Sequence, residues 1–171
     1  MRLQSIKKEN QVIYQTFSHY VEENPELEKT RFLGMDVGQK YIGLSLSDDG
    51  RVIASPFGLY ERKNLQKDSL YFQKIFNDFP ISLVVMGMPM NLNGSLSRHG
   101  ETIVTYADRL SHQQGFDKDI VFWDERFSTM AVERTLLEHN MSRKKREDTI
   151  DKLAATYILQ GALDYMGMRR K

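Results

Sequence analysis

From residue 31 onward the apolar positions first recur in short or alternating runs and later at every third or fourth residue, and that change of period divides the chain. "RFLGM" at 31–35 and "YIGLSLS" at 41–47 are separated by "DVGQK", which predicts two antiparallel strands in a hairpin. "RVIASPFGL" at 51–59, after the turn "SDDG", predicts a third strand. The period then lengthens. It predicts a helix over 65–79, a short buried strand at "ISLVVMG" (81–87), a helix over 98–114 and a short strand at "DIVFWDE" (119–125). Helices over 129–140 and 149–165 close the chain. A three-strand meander followed by strand, helix, strand, helix and helix predicts an α/β protein with a mixed sheet covered by helices.

Residues 1–29 read differently. Ile13, Phe17 and Tyr20 recur at i, i+4 and i+7, which predicts a short amphipathic helix, and "EENPELEKT" then interrupts the pattern with polar residues and a proline. The expected organisation is a partly helical N-terminal extension over 1–29, appended to one domain over 30–171. On that reading, deleting the extension leaves a folded core. A length of 171 residues with 40% hydrophobic content suits one core better than two.

Composition narrows the chemistry. The chain has no cysteine, which removes disulfides and thiolate metal sites and points to a reducing compartment. The N-terminus lacks an apolar leader, and no run approaches the roughly 18 apolar residues of a membrane span, so a soluble cytoplasmic protein is expected. The net charge of +1 says nothing about partners, but "RKKR" at 143–146 and "MRRK" at 168–171 are local basic clusters.

Asp36 stands between Gly34 and Gly38 at the end of the first predicted strand, where open α/β sheets bind ligands. The same residue types also make ordinary hairpin turns, and this segment alone leaves both readings open. Three further segments bear on it. "VVMGMPMNLNGS" (84–95) ends a strand in glycine and proline, "VFWDERFST" (121–129) ends one in two acids and an arginine, and "DTIDKLAATYILQGALD" (148–164) opens a helix with acids. Together, over residues 31–165, the four segments resemble the RNase H-like family called YqgF or RuvX. That family is described as Holliday-junction-resolvase-like and as a nuclease for the precursor of small-subunit ribosomal RNA.

The resemblance implies an RNase H-like mixed five-stranded sheet in the order 3-2-1-4-5, flanked by helices, with the first three strands antiparallel and strands 1, 4 and 5 parallel. Strands 1 and 5 would then lie about 10 Å apart, two spacings of about 4.8 Å. Gly87 would leave the gap between them open. Asp36, Glu125 and Asp151 become the expected catalytic and metal-binding acids. Asp151 shares a helix face with Ala155, Ile158 and Ala162, although an acid in the first turn also suits the helix dipole. Asp124 is the alternative to Glu125, because adjacent strand residues face opposite sides.

Three carboxylates without histidine or cysteine select Mg2+ or Mn2+, with metal-activated water attacking a phosphodiester. Arg126, Asn91, Arg143, Lys144, Lys145 and Arg146 are the expected nucleic-acid contacts. A solvated loop or charge run is the competing account of the loop and the cluster, and an ordinary ion pair that of Arg126. His19, His99, His112 and His139 lack ligand spacing, and Trp123 and the nine methionines read as core.

The expected function is a hydrolase acting on structured nucleic acid, foremost on the pre-16S ribosomal RNA end, with a four-way DNA junction as the alternative substrate and no membrane partner. A non-catalytic nucleic-acid-binding module is the main rival. A sugar-kinase or actin-like ATPase also places an aspartate before a glycine on a hairpin, but it needs a second domain that about 140 core residues cannot supply.

Overall fold

The computed structural model describes the backbone of residues 6–8, 11–14, 16–24, 30–124 and 143–169, and side chains within 16–24, 30–124 and 153–168. The strands are β1 (Ile6–Lys8), β2 (Gln11–Tyr14), β3 (Arg31–Val37), β4 (Tyr41–Ser47), β5 (Ala54–Glu61), β6 (Ile81–Met88) and β7 (Asp119–Asp124). The helices are α1 (Phe17–Glu23), α2 (Leu65–Asp78), α3 (Arg98–Ser111) and α4 (Arg143–Arg169). The strands form one sheet in the order β1-β2-β7-β6-β3-β4-β5. β3, β4 and β5 pair antiparallel, whereas β3, β6 and β7 pair parallel. The five strands from residue 31 onward therefore have the expected 3-2-1-4-5 order of an RNase H-like sheet.

Alternation along each strand separates two faces. Leu33, Met35 and Val37 of β3, Ile42, Leu44 and Leu46 of β4, Val84, Met86 and Met88 of β6, and Ile120 and Phe122 of β7 join one buried cluster with α2 and α3. Phe32, Leu83, Val85 and Val121 face the other way and pack with α1 and α4. Side-chain caps fix where α2 and α3 begin. Asn64 Oδ1 accepts from the Lys67 amide at 3.0 Å, and Ser97 Oγ accepts from the Gly100 amide at 2.9 Å. On α4 the buried residues Ala155, Ile158, Leu159, Ala162, Leu163 and Met166 recur at helical spacing and lie on the sheet.

The N-terminal segment departs from the expected amphipathic helix. Ile13 lies in β2, which pairs parallel to the outer edge of β7 at Ile13↔Ile120 and Tyr14↔Val121. The helix begins only at Phe17, capped by Thr16, whose Oγ1 accepts from the His19 amide at 3.4 Å. Phe17 is fully buried, edge-on to Phe32, Trp123 and Tyr165 at centroid distances of 6.0–6.4 Å. Residues 11–14 complete a strand edge that would otherwise present unpaired amides and carbonyls, a demand that side-chain periodicity does not register. Residues 6–8 and 11–14 thus extend the sheet beyond β7.

Two other boundaries move. β3 continues through Asp36 to Val37, so Asp36 is a paired strand residue opposite Gly43 and not the turn itself. α4 starts at Arg143, ahead of the expected Thr149, which puts Arg143, Lys144, Lys145 and Arg146 inside its first turns. The helix expected over 129–140 lies outside the described residues.

Candidate active site

The hairpin that carries Asp36 turns tightly. The Gly38 amide donates to the Tyr41 carbonyl at 2.9 Å, and a Cβ on Gly38 would come within 2.8 Å of that same oxygen, so glycine is needed for the close approach. Asp36 is half-buried and shares its sheet face with Phe32 and Gly34, the face covered by α4.

That face is stripped of bulk where α4 crosses it. A Cβ on Gly34 would collide with Ser45 Oγ and come within 2.7 Å of Leu159 Cβ and 2.9 Å of the Ala155 carbonyl oxygen. Ser45, fully buried, donates from Oγ to that carbonyl at 2.7 Å, anchoring the helix to β4. Further along, Gln160 accepts from the Ala54 amide at 2.8 Å and donates to the Val52 carbonyl at 2.9 Å. Ala54 pairs with Ser47, which lies beyond Ser45 from the Asp36 end. α4 therefore runs antiparallel to β3. Asp151 precedes Ala155 by one turn, about 6 Å of axis, and Asp36 follows Gly34 by two strand residues, about 6.6 Å. The Asp151 backbone is thus level with Asp36 on the same side of the sheet; its side chain is outside the described residues.

β6 separates β3 from β7. Its register pairs Met35 with Met86, and Gly87 with Trp123. Gly87 lies one step beyond Met86, level with Asp36, and offers no side chain between the two outer strands. Trp123 is half-buried against Phe17 and Tyr165 and packs on Gly161, where a Cβ would come within 3.0 Å of Nε1. It is a packing residue, as expected, though its buried Nε1 has no hydrogen-bond partner among the described residues.

Asp124 ends β7 opposite Met88 and alternates with Phe122 and Ile120, which belong to the α2 and α3 core. It therefore faces away from Asp36. Glu125 and Arg126 lie outside the described residues, as do the side chains of Arg143, Lys144, Lys145 and Arg146. Asn91 is exposed, and its Nδ2 donates to Ser95 Oγ at 2.8 Å and to the Leu96 carbonyl at 3.0 Å, organising its own loop.

The expected donors for a cation are carboxylate oxygens, which fit a hard divalent ion of the magnesium or manganese type. Among the described residues no three acidic, histidine or cysteine side chains form a metal-binding group.

Sequence reasoning missed one feature on the α2–α3 side. Asp68, buried at 2% exposure, accepts from the Tyr60 hydroxyl (2.8 Å), the Lys63 amide (3.0 Å) and the Tyr106 hydroxyl (3.0 Å). Burial, then Asp68, raises the pKa of both phenols, so they stay protonated donors. Asp68 sits in a first helical turn, where an acid is ordinary, and only the fold brings the tyrosines to it.

A mixed sheet with one acid at the end of its central strand and a helix crossing the same face defines the class, an RNase H-like domain. The chain belongs to the RuvX family: residues 30–165 match the family described as "RuvX: Holliday junction resolvase". Among curated relatives, "Putative pre-16S rRNA nuclease" of Rhodospirillum centenum is 39% identical over 137 residues, covering 78% of this chain and 73% of that protein. The protein of the same name from Clostridium novyi is 39% identical over 134 residues, covering 78% and 98%. Among solved structures, T. thermophilus RuvC in complex with Holliday junction substrate matches with a TM-score of 0.49 at 10% identity, over 81% of this chain and 96% of that one.

Proposed function

We propose that this chain, by family a hydrolase of phosphodiester bonds, is a divalent-metal-dependent nuclease acting on structured nucleic acid, and that its substrate is the pre-16S ribosomal RNA end. The observation that carries the reading is the convergence on one sheet face of Asp36, the Gly87 gap and the Asp151 position. The names of the curated relatives support the RNA substrate. The family description favours a second reading, cleavage of a four-way DNA junction. A cysteine-free chain suits a cytoplasmic setting.

Asp36, Glu125 and Asp151 would hold the cation. Asp124 alternates onto the opposite face, which supports Glu125 as the third acid. When bound, Mg2+ or Mn2+ supplies Lewis acidity and lowers the pKa of water for in-line attack on phosphorus. The chain's own contribution is placement. The Gly34–Ser45–Ala155 contact holds α4 close enough to the sheet for its first turns to serve the site, and Gly87 keeps the floor clear. Arg126, Asn91 and the cluster Arg143, Lys144, Lys145 and Arg146 are the proposed contacts to substrate, the cluster as non-specific charge.

The test compares a pre-16S rRNA fragment with a four-way DNA junction, side by side, in Mg2+, Mn2+ and EDTA. Cleavage of the RNA that EDTA stops is expected, and Asp36→Asn should abolish it while leaving RNA binding largely intact. Metal should also raise the melting temperature of the wild type and not of the variant. Wild-type, metal-dependent cleavage by Asp36→Asn, in a preparation free of contaminating nuclease, would overturn the site; junction-only cleavage would move the reading to DNA.

A further inference from the structure

On the face of the sheet opposite α4, an open cleft of about 640 Å³ lies between the β3–β4 hairpin, the start of α2 and one side of α3. Four cationic side chains line it, Arg62, Lys63, Arg98 and Arg109, against two carboxylates, Asp68 and Glu101. Their commitments differ. Asp68 is buried and turned onto Tyr60, Tyr106 and the Lys63 amide. Lys63 pairs with Glu61 at 2.8 Å, outside the cleft lining. Arg98 and Arg109 are exposed and form no side-chain ion pair or hydrogen bond among the described residues. Glu101 is exposed on the rim and weakens the field without pairing with either arginine.

The arginines are arranged for an extended anion. Arg98, Thr102, Thr105 and Arg109 are spaced i, i+4, i+7 and i+11, one straight stripe along α3. The threonine hydroxyls donate to the Arg98 carbonyl (3.1 Å) and the Glu101 carbonyl (2.9 Å), so the stripe's outward donors are the two guanidinium groups. Eleven residues of helix separate them by about 16 Å. That is further than a single phosphate reaches, so the two arginines would address separate phosphates of one extended strand.

Arg62 connects this stripe to the candidate site. Its guanidinium lies 4.3 Å from the centre of the Tyr106 ring and donates from Nη1 to the Gly38 carbonyl at 2.8 Å. Gly38 is two residues from Asp36. The same arginine is therefore held rigidly at the hairpin edge that separates the cleft from the Asp36 face, with further N–H groups left to donate.

We infer that this cleft is a second nucleic-acid-backbone site, in which Arg98, Arg109 and Arg62 grip phosphates of a segment that crosses the hairpin edge on its way to or from Asp36. The inference rests on the nucleic-acid reading above and extends it to the opposite face. The site takes phosphodiester backbone, because its cationic groups are guanidinium forks suited to phosphate oxygens; of the two amide side chains that also line it, Gln39 and Asn64, the latter has its oxygen committed to the Lys67 amide.

The experiment measures binding of a fluorescein-labelled single-stranded RNA of mixed sequence, by anisotropy in EDTA across a salt series. It uses the full-length protein, Arg98→Gln/Arg109→Gln, and Lys74→Gln as a charge removed outside the cleft. Both arginines are exposed, so the double variant should keep the wild-type melting temperature. The wild type should bind. The double variant should bind several-fold more weakly at low salt, with the slope of log affinity against log salt shallower by about 1.4, or 0.7 per lost contact, and equally so for an unrelated sequence. Arg62→Lys should weaken binding with a smaller change of slope, since it keeps the charge and loses the fork.

Unchanged affinity and slope, an equal per-charge effect from Lys74→Gln, or a wild type that fails to bind would each overturn the inference. So would millimolar ATP or inorganic phosphate displacing the RNA from the wild type but not from the double variant, which would make the cleft a small-anion site. Cleavage separates this inference from the nuclease reading. Lost slope in the double variant with undiminished cleavage by Asp36→Asn keeps the cleft and removes the metal site. Unchanged binding with metal-dependent cleavage that needs Asp36 does the reverse.

Discussion

The two faces of one sheet are built from the same strands and have opposite constructions. Toward α2 and α3, successive inward positions are Leu33, Met35, Val37, Ile42, Leu44, Leu46, Val84 and Met86, a wall of large apolar side chains. Toward α4, the intervening positions at the centre are Gly34, Asp36, Gly43, Ser45 and Gly87. The first face excludes water by volume. The second gives up volume so that a helix backbone can approach within hydrogen-bond distance of a strand side chain, and so that a carboxylate has room above a glycine. The missing bulk is restored at the margin, where Phe17 and Trp123 fill the space between α1, β7 and α4. A pleated strand can therefore carry a core and a site at once, one on each parity.

The largest effect on this arrangement should come from that margin. Phe17→Ala is expected to cost about 3–5 kcal/mol, the range for emptying a buried aromatic position, read by chemical denaturation. A loss near zero would mean that the N-terminal segment is after all an appendage whose deletion leaves a folded core.

The faces themselves are compared by neighbouring substitutions. Met35→Ala should destabilise by about 2–5 kcal/mol while the folded fraction keeps its full metal response. Gly34→Ala should cost less, about 1–3 kcal/mol of overpacking, yet impair cleavage more, because it lifts α4 and the Asp151 position from the sheet. Activity that tracks stability equally in both variants would erase the functional distinction between the faces.

A smaller effect is expected at Ser45. Removing its bond to the Ala155 carbonyl in Ser45→Ala should cost about 1 kcal/mol and raise the metal concentration needed for half-maximal thermal stabilisation. No change in either would show that glycine packing alone seats the helix.

The smallest effect concerns a second aspartate on the same hairpin, at its far end. Asp48 Oδ1 accepts from the Val52 and Ile53 amides, both at 2.8 Å, and those bonds, Ile53 first, lower its pKa below the ordinary 3.8. Because the folded value is the lower one, the contribution to stability is complete above 3.8 and fades as pH falls through the folded value. Asp48→Asn should flatten stability against pH in that acidic range and leave neutral-pH cleavage untouched. Asp48 is thus an acid with a structural task, in contrast to Asp36, and a loss of cleavage would break the contrast.

Much of this was legible along the chain, because strand alternation and helical spacing are properties of the local backbone. They located β3 to β7, α2 and α3, the inward stripe of α4, and Asp36 at a strand end. They also predicted that at most one of Asp124 and Glu125 faces the site if the strand persists that far; Asp124 faces the α2–α3 core, and Glu125 lies outside the described residues. The family resemblance supplied the strand order, and the pairing reproduces it.

What the tertiary structure alone decided is of another kind. Residues 11–14 carry a pattern compatible with a helix, and they became a strand because β7 had an open edge to pair. Asp151 reached the level of Asp36 because the Gly34–Ser45 notch fixes where and in which direction α4 crosses the sheet. Arg62 joined Arg98 and Arg109 although 36 residues separate it from the first of them. Each is a choice among partners distant in sequence, settled by which backbone groups remained to be satisfied and which surfaces fitted, and local periodicity holds no information on either.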